Sequence, residues 1–454
     1  MKSKRNVIRA CLLSLVLLRA ATSDAQTVTN VAAGNRHSLF LKSDGSLWVM
    51  GNNANGQLGD STYNQTNLPE MIVATNVTAL AAGSFHSLFL KGDGSLWAMG
   101  FNGYGQLGNG VYNLVTPFGT NQPQKMVTAN SVTAIAAGQN HSLLIENDGS
   151  LWVMGYNLNG QLGDGTINNT NRPEKIATTN NVMAIAAGNG HSLFVKNDGS
   201  LWAMGDNTYG QLGNGTISNQ TNRPVQIVTN GVTAVAAGYQ HSLFLKNDGS
   251  LWAMGLNTDG QLGDGTIINR TGGPELIVSS NVTAIAAGQY HSLFLKNDGS
   301  LWGMGNNSNG QLGDGTINNM NRPELIVAYN VTVVAGGQNH SLFLKGDGSL
   351  WGMGYNGYGQ LGDGAYDQTN RPEPLVGFIT GYNQTAIHLL SSGKVNMIYE
   401  GNTGTNYALD RSFTLAPPHW VPQVTNPAGV GGVVLFTNTP SPATNNFWRV
   451  RSLP

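Results

Sequence analysis

The stretch HSLFLKNDGSLW, from His291 to Trp302, occurs seven times along the chain with small variations. The copies begin at His37, His86, His141, His191, His241, His291 and His340. The intervals between these histidines are 49, 55, 50, 50, 50 and 49 residues. A fixed period of this length predicts an array of equal structural units rather than several unrelated domains.

One repeat predicts four short strands. A small-residue segment such as VTAIAAG comes first and suits a position where units crowd around an axis. HSLFLK follows as a strand covered on both faces, and an Asp-Gly turn connects it to LWAMG. A long polar loop through GQLG comes next. It ends at a proline that precedes a last strand such as ELIV, as expected at a sheet edge.

Seven such units predict an all-β fold, a seven-bladed β-propeller of four-stranded blades. Closure into a ring removes the end surfaces that an open stack would expose. An open β-solenoid is the alternative architecture, but its coils are usually shorter than about 50 residues.

The repeat resembles that of the regulator of chromosome condensation family of seven-bladed propellers. In the sixth copy the resemblance is carried by Ala287-Gly288, His291, Asp298-Gly299, Trp302, Gly305, Asn307 and Gly310-Gln311-Leu312-Gly313. It implies the fold and two functions: a guanine-nucleotide exchange factor, as in the eukaryotic founding members, or a secreted bacterial inhibitor that holds an enzyme with aromatic loop residues. The family's exchange residues find no match in these loops.

Residues 1–25 are predicted to be a signal peptide. Lys2, Lys4 and Arg5 precede a short apolar run, and Ser23-Asp24-Ala25 fits a cleavage site. We therefore expect a secreted protein, extracellular or at the cell surface, with the periplasm as the alternative location. Since the only cysteine is Cys11, the mature chain has no disulfide, and no apolar segment after cleavage is long enough to cross a membrane.

The sequence predicts a propeller over residues 26–395 and a small all-β module over residues 396–454. Residues 379–395 resemble a worn first half of an eighth copy, which either locks the ring or begins a degenerate extra blade. The tail is similar to small β modules that end many secreted bacterial proteins. That similarity implies sorting or surface attachment.

Composition and motifs exclude several function classes. A net charge of −1, with 10% of residues charged, gives no basic footprint for nucleic acid. The GxGxxG matches at 103–108 and 357–362 are interpreted as turns, because no helix follows them. The repeated histidines are spread around a ring, so we expect no metal site and interpret them as buried and bonded to backbone. We predict no cofactor, no catalytic residue and no enzymatic activity.

The seven copies differ mainly in the pair before each histidine and around the GQLG loop. Aromatic side chains recur at these loop positions, where they favour recognition of a partner. We predict a monomer that binds a protein, with glycan binding as an alternative, through one face of the propeller. The predicted partner-binding residues are Phe85, Phe101, Tyr104, Phe118, Tyr156, Tyr209, Tyr239, Tyr290, Tyr355 and Tyr358.

Overall fold

The seven repeats fold into seven separate four-stranded antiparallel sheets arranged as a closed ring. The computed structural model describes residues 26–375, apart from 127–130, 177–179 and 218–219, and the backbone of six strands beyond residue 375. The predicted all-β, seven-bladed propeller of four-stranded blades is confirmed. Among the described residues, no helix is long and apolar enough to cross a bilayer.

Blades are numbered along the chain, and the four strands of each blade follow one another in sequence. The innermost, first strands are Val28–Ala33, Val77–Ala82, Val132–Ala137, Val182–Ala187, Val232–Ala237, Val282–Ala287 and Val331–Gly336. The second strands are His37–Lys42, His86–Lys91, His141–Glu146, His191–Lys196, His241–Lys246, His291–Lys296 and His340–Lys345. The third strands are Leu47–Gly51, Leu96–Phe101, Leu151–Gly155, Leu201–Gly205, Leu251–Gly255, Leu301–Gly305 and Leu350–Gly354. The outer, fourth strands are Thr66–Val73, Gly119–Lys125, Thr170–Lys175, Thr221–Val228, Arg270–Val278, Met320–Val327 and Thr369–Pro374.

Strand register places the variable loops of every blade at one end of the ring. In blade 1, His37 lies opposite Gly51 and Ser38 lies opposite Ala33. The end of the first strand, the start of the second and the end of the third therefore meet. We call this end the upper face. The Asp-Gly turns and the connections between blades lie at the other end, the lower face.

The second strand supplies packing to both neighbouring blades because its side chains alternate between the two faces of the sheet. In blade 1, Leu39 and Leu41 pack against Phe89 of blade 2. Phe40 points the other way and packs with Leu342 of blade 7. The hydrophobic core is thus a set of layers between blades, which explains why HSLFLK is apolar throughout its middle.

A tryptophan on the third strand of each blade packs near the lower face against side chains of the second strand. The Trp48 ring lies nearly parallel to that of Phe40, with centroids 6.0 Å apart, and Lys42 Nζ lies 4.2 Å from the Trp48 ring centroid. Trp48 Nε1 also donates a hydrogen bond to Ser46 Oγ in the Asp-Gly turn (2.9 Å).

Blade 3 departs from this arrangement. Leu144 replaces the phenylalanine and Glu146 replaces the lysine. Lys175 of the fourth strand instead lies 5.9 Å from the Trp152 ring and pairs with Asp148 at 3.2 Å. The cation–π position is therefore filled from another strand.

Blade 7 meets blade 1 through the same contacts that join other neighbours. Gln338 N–H donates to Gly34 O (3.1 Å), and Val28 N–H donates to Gly348 O (3.2 Å). No blade borrows a strand from another part of the chain. The ring thus closes by packing and hydrogen bonding alone.

Six further strands form two three-stranded sheets. One contains Thr385–Leu389, Val395–Glu400 and Val433–Asn438, and the other contains Asn406–Ser412, Val421–Pro427 and Phe447–Ser452. Thr385–Leu389 pairs with Val395–Glu400 and not with a strand of a blade. This pairing joins the strand to the one that follows it in sequence, as the second and third strands of a blade are joined, so the interpretation of residues 379–395 as a worn eighth copy stays a prediction. Residues 379–384 and 390–394 lie outside the described residues, as does the predicted signal peptide, and the division into domains stays a prediction.

Replacing a blade-to-blade phenylalanine by alanine should lower stability strongly. Phe244 is fully buried against Leu193 and Val195 of blade 4. We expect Phe244→Ala to lower the free energy of unfolding by about 3–5 kcal/mol, because it leaves a cavity. Phe244→Leu should cost no more than about 1.5 kcal/mol, since Leu144 fills the equivalent place in blade 3. Urea-induced unfolding measures both free energies, and equal losses of stability in the two variants would contradict this description of the packing between blades.

Candidate functional site

The seven repeated histidines form a closed circle of hydrogen bonds with the serines that follow them. Each Nε2 lies 2.9–3.0 Å from the serine Oγ of the next blade, and no such bond joins a histidine to the serine of its own blade. The pairs are His37–Ser87, His86–Ser142, His141–Ser192, His191–Ser242, His241–Ser292, His291–Ser341 and His340–Ser38. The last pair closes the ring.

The partner of each serine hydroxyl fixes the histidine tautomer. Ser87 Oγ–H donates to the main-chain carbonyl of Gln57 in the GQLG loop of blade 1 (2.8 Å), and the other copies repeat this bond. A serine hydroxyl has one hydrogen. Ser87 Oγ must therefore accept from His37, whose proton lies on Nε2.

The glycine at the end of each first strand is required by its histidine. A Cβ atom on Gly34 would overlap Cε1 of His37 and crowd its Nδ1, and the other copies show the same contact. The pattern AG-x-x-HS is thus one packing unit, in which the glycine makes room for the imidazole and the imidazole bonds to the next blade.

Burial keeps these histidines neutral. It lowers the pKa of His37, His86, His141, His241 and His340 to about 3. It lowers the pKa of His191 and His291 to about 4. A neutral ring satisfies the single-donor role derived above.

The prediction that these histidines bond to backbone is wrong, because their partner is a serine side chain. That serine lies about 50 residues away in sequence, so the contact is visible only after the ring has closed. The pair is not arranged for nucleophilic attack. Both side chains have no exposed surface, and the hydroxyl hydrogen already binds a carbonyl.

The described residues contain no group of three or more His, Cys, Asp or Glu side chains that could hold a metal ion. The GxGxxG stretches are turns, as predicted: Gly105, Gly108, Gly359 and Gly362 have positive φ, and among the described residues no helix follows them. These stretches therefore lack the helix N-terminus with which a glycine-rich loop binds phosphate.

All ten predicted partner-binding residues lie in loops or strand ends of the upper face, but they form separate groups. The largest group spans blades 2 and 3. Phe101 contacts Phe85, Tyr104 and Phe118 edge-on, with centroids 5.8–6.4 Å apart, and Tyr104 contacts Tyr156 at 4.8 Å. Most of these rings are half-buried against one another, and burial raises the pKa of Tyr156.

Two smaller groups lie elsewhere on the face. Tyr239 and Tyr290 meet at 5.3 Å, and burial together with Tyr239, Asp259 and Tyr209 raises the pKa of Tyr290. Tyr355 contacts Tyr358 at 6.2 Å. Tyr358 in turn binds Arg36 of blade 1, whose guanidinium donates to the hydroxyl at 2.6 Å and lies 4.8 Å from the ring centroid.

The longer loop of blade 2 adds exposed apolar surface beside the largest group. Leu114 and Val115 are 70% and 79% exposed, and Phe118 is 40% exposed. Leu158 in blade 3 is also exposed. We call Phe85, Phe101, Tyr104, Phe118 and Tyr156, with Leu114, Val115 and Leu158, the blade 2–3 patch.

Sequence reasoning missed a second set of exposed apolar residues. They follow the GQLG loop at the same position of each copy. Their signal is an Ile or Tyr that persists within an otherwise polar loop, as in GDGTINN. The set is Tyr63, Tyr112, Ile167, Ile217, Ile267, Ile317 and Tyr366. It is shared by all blades, whereas the blade 2–3 patch is unique.

Comparison with known proteins gives a family and related structures. The sequence pattern of the RCC1-like domain matches residues 14–266 and 177–409. The human WBSCR16 structure is 28% identical, with a TM-score of 0.64, over 70% of this chain and 87% of that chain. The structure of Prp20p from Saccharomyces cerevisiae is 22% identical, with a TM-score of 0.64, over 78% of this chain and 88% of that chain. No curated protein sequence matches the chain significantly.

Because its repeated histidines are buried and neutral, we expect the folded chain to lose stability steeply in mild acid. Each is neutral in the folded state but takes up a proton below about pH 6.5 when the chain unfolds. The free energy of unfolding should therefore fall as the pH drops from 6.5 towards 4, by up to about 1.4 kcal/mol per pH unit for each histidine. Burial raises the pKa of Glu70 and Glu373, which acts in the opposite direction.

Urea-induced unfolding at a series of pH values measures the number of protons taken up. On unfolding near pH 5, each of the seven histidines takes up a proton, and the two glutamates together release at most two. The expected net uptake is therefore five to seven protons. His241→Gln should reduce that uptake by one. A stability that does not change between pH 6.5 and 4.5 would show that the histidines are not held neutral.

Proposed function

The chain belongs to the RCC1-like domain family, and we propose that it is a secreted, non-enzymatic scaffold that binds a protein partner through the upper face. The aromatic and Asn-rich loops there supply the contacts, and the blade 2–3 patch is the anchor. The framework between the blades serves to hold these loops in place.

The observation that carries the proposal is the concentration of exposed apolar side chains at one site of an otherwise repetitive ring. Leu114, Val115 and Phe118 project beside the linked aromatic rings of blades 2 and 3. Exposed apolar groups next to aromatic residues favour protein recognition, because burying them on binding is favourable and the supported rings lose little conformational freedom. Drift in a loop does not require such a concentration.

Proteins of this fold provide a precedent for the class of partner. Prp20p has been studied for its binding to Gsp1p and histones, and it also occurs bound to Kap60. A shared fold does not transfer a partner. It does support the view that a propeller of this kind can carry protein contacts.

Absence of catalysis is part of the proposal. The recurring His–Ser pair, which has the residue types of a base and a nucleophile, is buried in all seven copies and already hydrogen-bonded. The basic N-terminus and apolar run of residues 1–25 support export, and the mature chain needs no disulfide because its blades are joined by packing. The protein is either released or attached to the cell surface through the C-terminal strands, and the cellular setting decides between the two.

Crosslinking from the blade 2–3 patch tests the proposal. A photoreactive amino acid at Val115 of the secreted chain should trap one protein from the native extracellular medium, which mass spectrometry then identifies. The same group at Tyr329, 72% exposed on the lower face, should not trap it. Equal trapping from both positions, or trapping of no protein, would sink the proposed upper-face function.

Substitution of the patch gives the energetic test once that partner is purified. Tyr104→Ala, Val115→Ser and Phe118→Ala together should weaken binding at least tenfold, because aromatic anchors commonly contribute more than about 1.4 kcal/mol each. Tyr329→Ala should leave the affinity unchanged. Titration calorimetry measures both, and a melting curve verifies that the triple variant is folded.

A further inference from the structure

A cavity of about 170 Å³ lies at the upper end of the propeller axis. It is lined by the last residues of the seven first strands, mostly Ala-Gly, and by the residue that follows each of them. We call these following residues the axial ring. They are Asn35, Ser84, Gln139, Asn189, Tyr239, Gln289 and Gln338.

The axial ring is chemically restricted in a way that its neighbours are not. All seven members are uncharged and carry a hydrogen-bonding group. The residue that follows each of them varies in chemical type among the copies: it is charged in one, apolar in another and glycine in a third. These neighbours are Arg36, Phe85, Asn140, Gly190, Gln240, Tyr290 and Asn339. Two adjacent loop positions thus vary under different constraints, and only the one that lines the cavity keeps a neutral polar side chain.

The backbone of the axial ring is bonded around the circumference. Gln139 N–H donates to Gly188 O of the next blade (3.1 Å), and Gln289 N–H donates to Gly337 O (3.1 Å). Two side-chain oxygens of the ring have no such role. Asn35 Oδ1 and Asn189 Oδ1 are buried, and no described residue donates a hydrogen bond to either. Buried carbonyl oxygens without donors are costly, and these two oxygens are enclosed by the protein rather than open to the cavity.

The lining also offers an aromatic surface. Tyr239 lines the cavity and is held by Tyr290, whose ring centroid is 5.3 Å away. No charged side chain of the described residues lines the cavity, so nothing in it would pair with an ionised ligand. The cavity volume is well below the roughly 300–1,000 Å³ of pockets for drug-sized ligands. The cavity therefore suits a small, neutral ligand that is rich in hydroxyl groups.

We propose that the axial cavity binds one neutral hexose unit, either free or at the end of a glycan. Hydroxyl groups of the sugar form hydrogen bonds with the side chains of the axial ring, among them Gln139, Asn189 and Gln289. The apolar face of the sugar ring lies towards Tyr239. The site does not depend on the proposed protein partner, since no residue of the blade 2–3 patch lines it.

Titration with free glucose, galactose and mannose, and with neutral oligosaccharides that end in them, tests the proposal. Saturation-transfer NMR and calorimetry with the full chain should show saturable binding of at least one neutral sugar and none of glucuronate. Binding of the free hexose would identify a monosaccharide site. Binding of the oligosaccharide, with transfer confined to its terminal residue, would identify a glycan-end site.

Matched variants locate the binding. Asn189→Ala and Gln289→Ala remove amides from the axial ring and should each weaken binding at least tenfold. Asn140→Ala and Gln240→Ala remove the same amides one position further on and should leave the affinity unchanged. Absence of saturable binding by every neutral sugar, with the cavity holding water only, would overturn the proposal, and so would equal weakening by the two pairs. Crosslinking at Val115 is independent of both outcomes.

Discussion

Each blade has to satisfy two neighbours at once, because both faces of its sheet are covered. The second strand meets this constraint through alternation: histidine and two leucines point to the next blade, and serine and phenylalanine point to the previous one. Neither set is complete within a single repeat. His37 has its partner on blade 2, and Phe40 has its partners on blade 7. A repeat thus acquires its core and its polar bonds only from the units beside it.

This division of labour leaves the upper loops free to differ. Bonds repeated in every blade, such as Ser87 Oγ–H to Gln57 O and Leu58 N–H to Asn53 Oδ1, hold the base of each GQLG loop, so the exposed positions beside it are able to vary. The same arrangement explains why variation is concentrated where binding is proposed. An aromatic at Tyr104 or a leucine at Leu114 changes the surface without disturbing the layers between blades.

The sequence was sufficient to predict the fold because its determinants are local. Asp-Gly turns, the alternation within HSLFLK and the fixed period need no knowledge of distant contacts. The histidine partner could not be predicted, since Ser87 is adjacent to His37 only after blades 1 and 2 pack. The common face of the ten aromatic residues followed from strand order, but their separation into groups depends on which loops are neighbours around the ring. The role of residues 379–395 stays a prediction, because the pairing of Thr385–Leu389 with Val395–Glu400 fits both an extra blade and a separate module.

Because each blade is made of four consecutive strands, the boundary between blade 7 and blade 1 is chemically the same as the other six. The position of the chain ends is therefore arbitrary with respect to the ring, and an exchange of two internal units would preserve every class of contact. Genetic duplication, loss or shuffling of whole repeats can proceed without inventing new interfaces. The near-identity of the seven copies is what such a history would leave behind, and the longer loop of blade 2 and the altered second strand of blade 3 mark units that became distinct.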